Sequence, residues 1–266
     1  MKRLLLIGLI SFFAVLPAAA QLFHPGEVLD YRVSYKAKLF PNTEVGAVQV
    51  ATTQEQYKGA SVYRVEAHGR TLPTYRWFFD LDDRYSVLTD VQTLRPVHFE
   101  GSIKEGSYTF WSFYEYDWES RIASTRWQSR KKPVQTLQIP LTNESLDAIS
   151  LFFRMRSADP KSFRPGEVKT MQMVLQDTVR QIKYRFEGRE QKKIRNMGKY
   201  NTLRFSCQLG TSENFSFTDG TEFLIWISDD QNKIPLYMES PVKVGSIQAY
   251  ISGYKGLKYP VSSLIK

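Results

Sequence analysis

The residues best suited to chemistry are two groups of carboxylates, each in a stretch where a turn is expected. The first group comprises Asp80, Asp82 and Asp83, and the second comprises Asp229 and Asp230. Either group could hold a hard cation, but neither has the glycine-centred loop of a calcium-binding motif. Aspartate side chains also accept hydrogen bonds from nearby backbone amides in turns. Turn capping is therefore the simpler interpretation of both groups.

The side chains that most often act as nucleophiles or metal ligands are few and scattered. His24, His68 and His98 show no metal-ligand spacing. Cys207 is the single cysteine, which excludes an intramolecular disulfide. It falls beside Phe205 on the apolar face of an expected strand, so we predict a small core residue and not a nucleophile.

Sequence motifs of the common enzyme classes are absent. The chain has no GxSxG elbow, HExxH helix, Walker loop or dinucleotide glycine fingerprint. We therefore predict no catalytic residue, no metal site and no cofactor, and the sequence identifies no ligand-binding residue. Carboxylates that only the fold brings together, as in glycoside hydrolases, leave an enzyme as an alternative.

The N-terminal segment has the pattern of a secretory signal. Lys2 and Arg3 precede an apolar stretch at residues 4–16, and three alanines ending at Ala20 offer a small-residue cleavage site. The apolar stretch is shorter than the roughly 20 residues that span a bilayer, and no later run is suitable. We predict a signal peptide at residues 1–20, cleaved after Ala20, and an exported chain of the periplasm or outer envelope without a transmembrane segment.

The chain is basic, with a formal net charge of +9. For an exported basic protein, anionic lipid, lipopolysaccharide or peptidoglycan are more suitable neighbours than nucleic acid, so we predict no nucleic-acid partner. Of the remaining interpretations, we favour a solvated basic surface without a specific partner. Residues 180–204 hold nine Lys or Arg and two Glu. Ile182, Tyr184 and Phe186 alternate with charged residues there, which favours the solvated face of an antiparallel sheet over a polyanion site.

Most of the chain shows the two-residue alternation of half-buried strands. In residues 28–37, Leu29, Tyr31, Val33 and Tyr35 alternate with polar residues, which predicts one buried face. Residues 77–81 and 84–88 form one bent strand or two. Further strands are predicted at 45–52, 60–68, 96–103, 107–118, 121–128, 167–175, 178–188, 190–196 and 199–209, and a β-meander at 223–227, 234–238 and 242–251.

The strand at 107–118 carries aromatic residues on both faces. Tyr114 and Tyr116 fall on one face, and Trp111 and Phe113 fall on the other. An aromatic-lined ligand groove is one interpretation. We favour a core position between two layers, because aromatic side chains dominate protein cores.

One segment has helical periodicity. Leu146, Ile149, Phe152 and Met155 recur at helical spacing after N-cap candidates at residues 143–145. Pro160 ends the helix. Its apolar face should pack on a sheet or plug it.

The chain contains an internal similarity. FHPGEV at residues 23–28 recurs as FRPGEV at residues 163–168. The turn from Asp90 to Pro96 aligns with that from Asp229 to Pro235, so Asp229 is interpreted as a turn residue. Trp226 aligns with Val87, and if the second half has a ligand pocket, we expect it beside Trp226.

Fixed-period similarity indicates two related antiparallel β halves at residues 21–140 and 163–266. A helix and connector at residues 141–162 join them. The predicted fold is mainly β, as a curved sheet, half-barrel or sandwich-like arrangement in one domain, with the helix on the concave side.

Three signatures together resemble a known family, the exported bacterial proteins called domain of unknown function 3108 (DUF3108). The resemblance implies a β protein of the cell envelope with no established activity, so no site residue is carried over. The helix signature of that family is closed by an arginine, for which Arg154 and Arg156 both qualify. The signatures are Phe23, Gly26, Glu27 and Tyr31; the run LDAISLFFRMR at residues 146–156; and IWISDD at residues 225–230 with Pro235, Glu239, Gly245 and Ser246.

These features predict a non-catalytic binding or scaffold protein of the envelope. As a carrier it would hold an apolar or lipid ligand under the helix. As a structural or adaptor protein it would instead bind an envelope protein through an apolar patch or a free sheet edge. An envelope hydrolase with fold-assembled carboxylates is the third alternative.

Overall fold

The computed structural model describes residues 23–37, 40–210, 221–242 and 245–266. The predicted signal peptide at residues 1–20 and its cleavage site lie outside these residues. So do residues 243–244, which belong to the strand predicted at 242–251.

The described chain folds into one curved sheet of sixteen strands with one α-helix. The first eight strands are β1 (Val28–Ala37), β2 (Phe40–Tyr57), β3 (Ala60–Thr71), β4 (Asp82–Asp90), β5 (Pro96–Glu105), β6 (Tyr108–Asp117), β7 (Ile122–Ser129) and β8 (Gln135–Pro140). The others are β9 (Ser145–Leu146), β10 (Val168–Val174), β11 (Val179–Ile194), β12 (Gly198–Leu209), β13 (Thr221–Ser228), β14 (Pro235–Pro241), β15 (Ser246–Lys255) and β16 (Leu264–Ile265). The helix α1 spans Ser150–Ser157, and short 3-10 turns occupy Pro73–Tyr75 and Pro160–Ser162.

Each strand pairs mainly with its neighbour in sequence, and one long-range pairing joins the two runs. The order is β8 to β1 followed by β15 to β9, with β16 beside β12. The seam is the antiparallel pair β1–β15, from Val28 opposite Lys255 to Lys36 opposite Ser246. The mainly β fold with a curved sheet, predicted from the sequence, is therefore confirmed.

The sheet curls until its two ends meet through side chains. The Thr125 hydroxyl in β7 donates to the Gln176 carbonyl beyond β10 at 2.7 Å. Val174 and Val179 pack with Ala123 in the same apolar cluster. No strand ladder joins the two edge strands, β8 and β9, within the described ranges, so the sheet stays open while enclosing an interior.

The helix crosses this interior. Phe153 packs on Phe23 and Tyr63, and Met155 contacts the clusters formed by β10 to β13. Ile149 contacts the cluster of β4 to β8. The helix thus packs on the concave side of the sheet, as predicted.

The helix begins later than the periodicity predicts. Ser145 and Leu146 form β9, which runs parallel to β10 opposite Gln172 and Met173. Leu146 is fully buried as a strand residue. A buried strand followed by a helix produced one continuous apolar pattern, which explains the incorrect start.

Three strand predictions also need correction. Residues 77–81 form a loop after the turn at Pro73. The segments at 178–188 and 190–196 are one strand, β11, whose register shifts at Gly188 with φ +133°; a bulge bends the strand here and does not end it. The strand β8, in which five of the six residues are exposed, is not among the predicted strands.

Most of the predicted core residues are in the core, but Trp111 and Phe113 on the other face of β6 are only half-buried, so the prediction that this strand lies between two layers is wrong. Tyr114 and Tyr116 are buried in one apolar cluster, and Cys207 is buried beside Phe205 in another. Burial raises the pKa of the Cys207 thiol to about 12, which leaves it unreactive at neutral pH.

The duplication stays a hypothesis, although the two FxPGE turns are alike. Gly26 and Gly166 both have positive φ, at 101° and 83°. Their amides donate to Thr52 and Phe186 of the neighbouring strands. The two glutamates differ: Glu27 is buried, whereas Glu167 is exposed.

Candidate functional site

A cavity of about 820 Å³ lies between the concave face of the sheet and α1. The four alternating residues of β1 predicted to be buried, from Leu29 to Tyr35, form one wall. Strands β2, β3, β4, β14 and β15 complete the sheet side. The helix contributes Phe152 and Phe153, and Ile149 lines the cavity just before the helix begins.

Small residues leave this space unfilled. Gly46, Ala67, Gly69 and Ala249 all line the cavity. A Cβ at Gly69 would lie 3.7 Å from Val48, which is ordinary van der Waals contact, so side chains could be larger here. The cavity wall is therefore apolar, and its small side chains leave the enclosed volume unfilled.

A buried ion pair forms the polar end of the cavity. The Arg156 guanidinium donates to both carboxylate oxygens of Glu27, at 2.6 and 2.8 Å. Its Nε donates to the Asn232 carbonyl at 3.1 Å, and it lies 4.8 Å from the Phe23 ring centroid. The side chains of Arg156 and Glu27 are only 6% and 3% exposed. Every charged atom of the pair is thus satisfied within the protein.

The two candidate arginines of the helix have different roles. Arg156 binds Glu27, whereas Arg154 is half-buried and its Nε has no hydrogen-bond partner among the described residues. Glu27 and Arg156 are 129 positions apart, so the sequence carries no local sign of their pairing.

The cavity lining is exposed at Phe78 and Phe79, and we define these two residues with Tyr75 as the mouth of the cavity. Asp83 and Tyr85 line the wall nearby. Burial raises the pKa of the Asp83 carboxyl, which accepts a hydrogen bond from the Lys104 amide at 3.1 Å. Burial also raises the pKa of Tyr85 to about 12.

A buried aspartate anchors the helix over the cavity. The Asp147 carboxylate accepts hydrogen bonds from the amides of Ile149 and Ser150, each at 2.8 Å. The Ser150 hydroxyl donates to its other oxygen at 2.6 Å. These bonds satisfy amides at the helix start that have no partner within the helix.

Asp147→Asn is expected to gain stability relative to the wild type as pH rises. Burial raises the pKa of Asp147, so the folded state retains its proton above the unfolded pKa of about 3.9. Wild-type stability is therefore lost as pH rises through the folded pKa, whereas Asn pays no such penalty and keeps the acceptor oxygen. Urea unfolding of both proteins between about pH 4 and pH 7 measures this difference; a pH-independent difference would contradict it.

The first group of predicted carboxylates is divided among separate contacts. Asp82 accepts from His68 at 2.9 Å, and Asp80 lies 3.7 Å from Arg76. Asp83 faces the cavity. Within the described part of the chain, no cluster of three or more His, Cys, Asp or Glu residues is placed to hold a metal.

In the second group, Asp230 caps the turn and Asp229 does not. Asp230 accepts from the amides of Asn232 and Lys233, while the Asp229 carboxylate accepts from Arg189 Nε at 3.0 Å. Asp229 lies in the turn, as interpreted, but it is Asp230 that caps it. Thr89 pairs with Pro96 but Ile227 pairs with Pro235, so the second turn is one residue longer and shifts the cap by one position.

Trp226 lies away from the cavity. Its indole N–H donates to Glu190, and the Lys192 ammonium lies 3.6 Å from its ring centroid. Its neighbours Ile225 and Ile227 face the core. The pocket lies against β1 to β4 instead of beside this ring.

Two of the three histidines pair with carboxylates in different parts of the sheet. His68 binds Asp82, and His98 Nδ1 lies 3.0 Å from Glu115. His24 is exposed in the N-terminal turn. The three imidazoles therefore do not form a common site.

No helix among the described residues is long and apolar enough to cross a bilayer.

The fold is similar to that of a solved protein. A crystal structure from Brucella abortus, described as a β-barrel-like protein of domain of unknown function DUF1849, matches with a TM-score of 0.55 at 9% identity. The match covers 88% of this chain and 99% of that one. A "putative lipoprotein" from Parabacteroides distasonis ATCC 8503 matches at 8% identity with a TM-score of 0.36, covering 87% of this chain and 95% of that one.

No curated protein matches the chain. The family model described as protein of unknown function (DUF3108) matches residues 30–252, which is most of the sequence. The resemblance found in its three signatures is confirmed, and the chain belongs to the DUF3108 family.

Proposed function

We propose that this protein is an exported, non-catalytic carrier that binds an apolar chain, such as the acyl chain of a lipid, in the cavity beneath α1. The observation that carries this proposal is the cavity itself. Its volume of about 820 Å³ is within the roughly 300–1,000 Å³ of typical ligand sites. Its walls are almost wholly apolar, which matches a hydrocarbon ligand.

The dimensions of the cavity support an extended ligand. Lining residues run along β1 from Leu29 to Tyr35, and Glu27 extends the wall at the polar end. At about 3.3 Å per residue, Glu27 to Tyr35 spans roughly 26 Å. One leaflet of a bilayer has a hydrocarbon depth of about 15 Å, half of the usual 30 Å. An acyl chain can therefore lie along β1 without folding back.

The chemistry of the two cavity carboxylates supports binding over hydrolysis. Both oxygens of Glu27 are held by Arg156, and Asp83 accepts the Lys104 amide. A hydrolase needs one carboxyl free to donate a proton and a second free to attack or to activate water. Export rests on the signal pattern at residues 1–20.

Ala67→Phe is expected to weaken ligand binding at least about tenfold, equivalent to about 1.4 kcal/mol, because the ring occupies the space of the ligand. Ala67 is buried and lines the cavity. The measurement is a fluorescence titration with NBD-labelled stearate, with extraction and mass spectrometry of co-purified lipid.

Ala51→Phe is the matched control. Ala51 belongs to the neighbouring strand β2 and lies between the cavity residues Val50 and Thr52, so its side chain points to the outer face. This variant should bind as the wild type does. If Ala67→Phe fails to fold, Gly69→Leu fills the same space. Equal binding by wild type and a folded cavity-filled variant would exclude the carrier role.

A further inference from the structure

The loop at the cavity mouth exposes three consecutive aromatic side chains. Trp77, Phe78 and Phe79 are 84%, 80% and 48% exposed. Phe78 and Phe79 also line the cavity mouth. Exposed apolar groups in a contiguous patch mark an interaction site more often than single exposed residues do. We call residues 75–80 the aromatic loop.

The aromatic loop is held in place by backbone hydrogen bonds. The amides of Phe78 and Phe79 donate to the Tyr75 carbonyl at 3.0 and 3.1 Å. The Gly106 amide donates to the Asp80 carbonyl at 2.6 Å, which ties the loop to the turn between β5 and β6. The rings are therefore presented outward by a hydrogen-bonded turn.

Cationic side chains lie within and beside this loop. Arg76 and Lys104 lie 3.7 and 3.8 Å from the Asp80 carboxylate within it. The next turn along the sheet, residues 130–132 with sequence RKK, is exposed. We call it the basic turn. It joins the same surface because Arg130 donates through its side chain to the Ser107 carbonyl at 2.6 Å.

This combination suits a lipid surface. Tryptophan and phenylalanine side chains partition into the membrane–water interface, and flanking Lys and Arg are attracted to anionic headgroups. A stable protein interface needs about 800 Å² on each partner, whereas three aromatic side chains of roughly 150–250 Å² each provide less. A narrow aromatic tip with basic flanks thus fits a bilayer better than a folded partner.

We propose that the aromatic loop and the basic turn dock the protein on an anionic phospholipid bilayer, with Trp77 and Phe78 inserted at the interface. This docking goes beyond the proposed carrier function, because it requires no ligand in the cavity. It places the mouth against the hydrocarbon region, since Phe78 and Phe79 belong to both the loop and the cavity wall.

The test is co-sedimentation of the purified chain with vesicles of phosphatidylcholine alone or mixed with phosphatidylglycerol. The wild type is expected to bind the anionic vesicles preferentially. The double variant Trp77→Ser/Phe78→Ser should lose at least about tenfold in affinity, because two large apolar side chains no longer leave water. The triple variant Arg130→Gln/Lys131→Gln/Lys132→Gln should lose the salt-sensitive part of binding.

The matched control is Val168→Ser/Leu264→Ser, which removes two exposed apolar residues from the other end of the sheet. It should bind vesicles as the wild type does. Titration of the single variant Trp77→Ser with NBD-stearate separates the two proposals, because Trp77 is not among the residues that line the cavity. Weakened vesicle binding with normal stearate binding in this variant supports docking alone. The docking proposal is overturned if the wild type ignores both vesicles, if the double serine variant binds them normally, if Trp77→Ser loses stearate binding as well, or if Trp77 and Phe78 instead form a stable protein complex.

Discussion

Arg156→Met is expected to lower the free energy of unfolding by about 3–5 kcal/mol, because it leaves the carboxylate of Glu27 buried without a counter-charge. The Glu27 side chain is 3% exposed, and both of its oxygens bind Arg156. The Asn232 carbonyl also loses the hydrogen bond from Arg156 Nε. Urea unfolding followed by circular dichroism measures this change.

Arg154→Met is the matched control for this prediction. It makes the same substitution two residues earlier in the same helix, where the arginine is only half-buried. Its effect should stay within about 1 kcal/mol. The double variant Glu27→Met/Arg156→Met should recover most of the lost stability, since apolar residues often replace a buried ion pair without cost. If the double variant is as unstable as Arg156→Met, the unpaired carboxylate is not the cause.

Gly256→Ala is expected to lower the free energy of unfolding by about 3 kcal/mol, from overpacking added to left-handed strain. Gly256 has φ +65°, and a Cβ there would lie 2.2 Å from the Gly26 carbonyl oxygen. The obstacle is backbone, and Gly26 is fixed by the hydrogen bond from its amide to Thr52. Neither side can move without breaking the N-terminal turn.

Gly106→Ala separates the two contributions. Gly106 has φ +57°, but a Cβ there meets nothing within 4 Å. This variant should therefore show the conformational cost alone, about 1–2 kcal/mol. Thermal and urea unfolding of both variants compare them directly. Equal losses at the two glycines would show that the contact with Gly26 contributes nothing.

The local part of the site could be predicted from the sequence. The alternation of Leu29, Tyr31, Val33 and Tyr35 identified the wall of the cavity that β1 supplies, because a strand with one buried face has a period of two. The helix and its place on the concave side followed from its apolar spacing. These features depend on residues close together in sequence.

The rest of the site depends on distant pairings that leave no local pattern. Ala249 reaches the wall opposite Val33 only because β15 pairs with β1. Ala67 and Gly69 are ordinary small residues until the structure shows the space beside them. The pairing of Glu27 with Arg156 leaves no local pattern either, because the two residues belong to separate signatures that are 129 positions apart.

The aromatic loop was misinterpreted for a different reason. Trp77, Phe78 and Phe79 have high strand propensity, which reflects packing on a sheet and is not an intrinsic backbone preference. Here a turn begins at Pro73, and Gly106 binds Asp80 beyond the aromatic residues. Trp77 and Phe78 are mostly exposed and do not pack on a sheet, so their strand propensity does not predict a strand here.

The seam between β1 and β15 has a consequence for folding. Its partners, such as Val28 and Lys255, lie at opposite ends of the chain, so this ladder has the greatest sequence separation in the sheet. Contacts of high sequence separation form late, because the entropy of closing a long loop is lost before they form. A chain that is made from its N-terminus onward therefore keeps one edge of β1 unpaired until residues 246–255 are present. That open edge is the point at which an incomplete chain would bind another strand and aggregate.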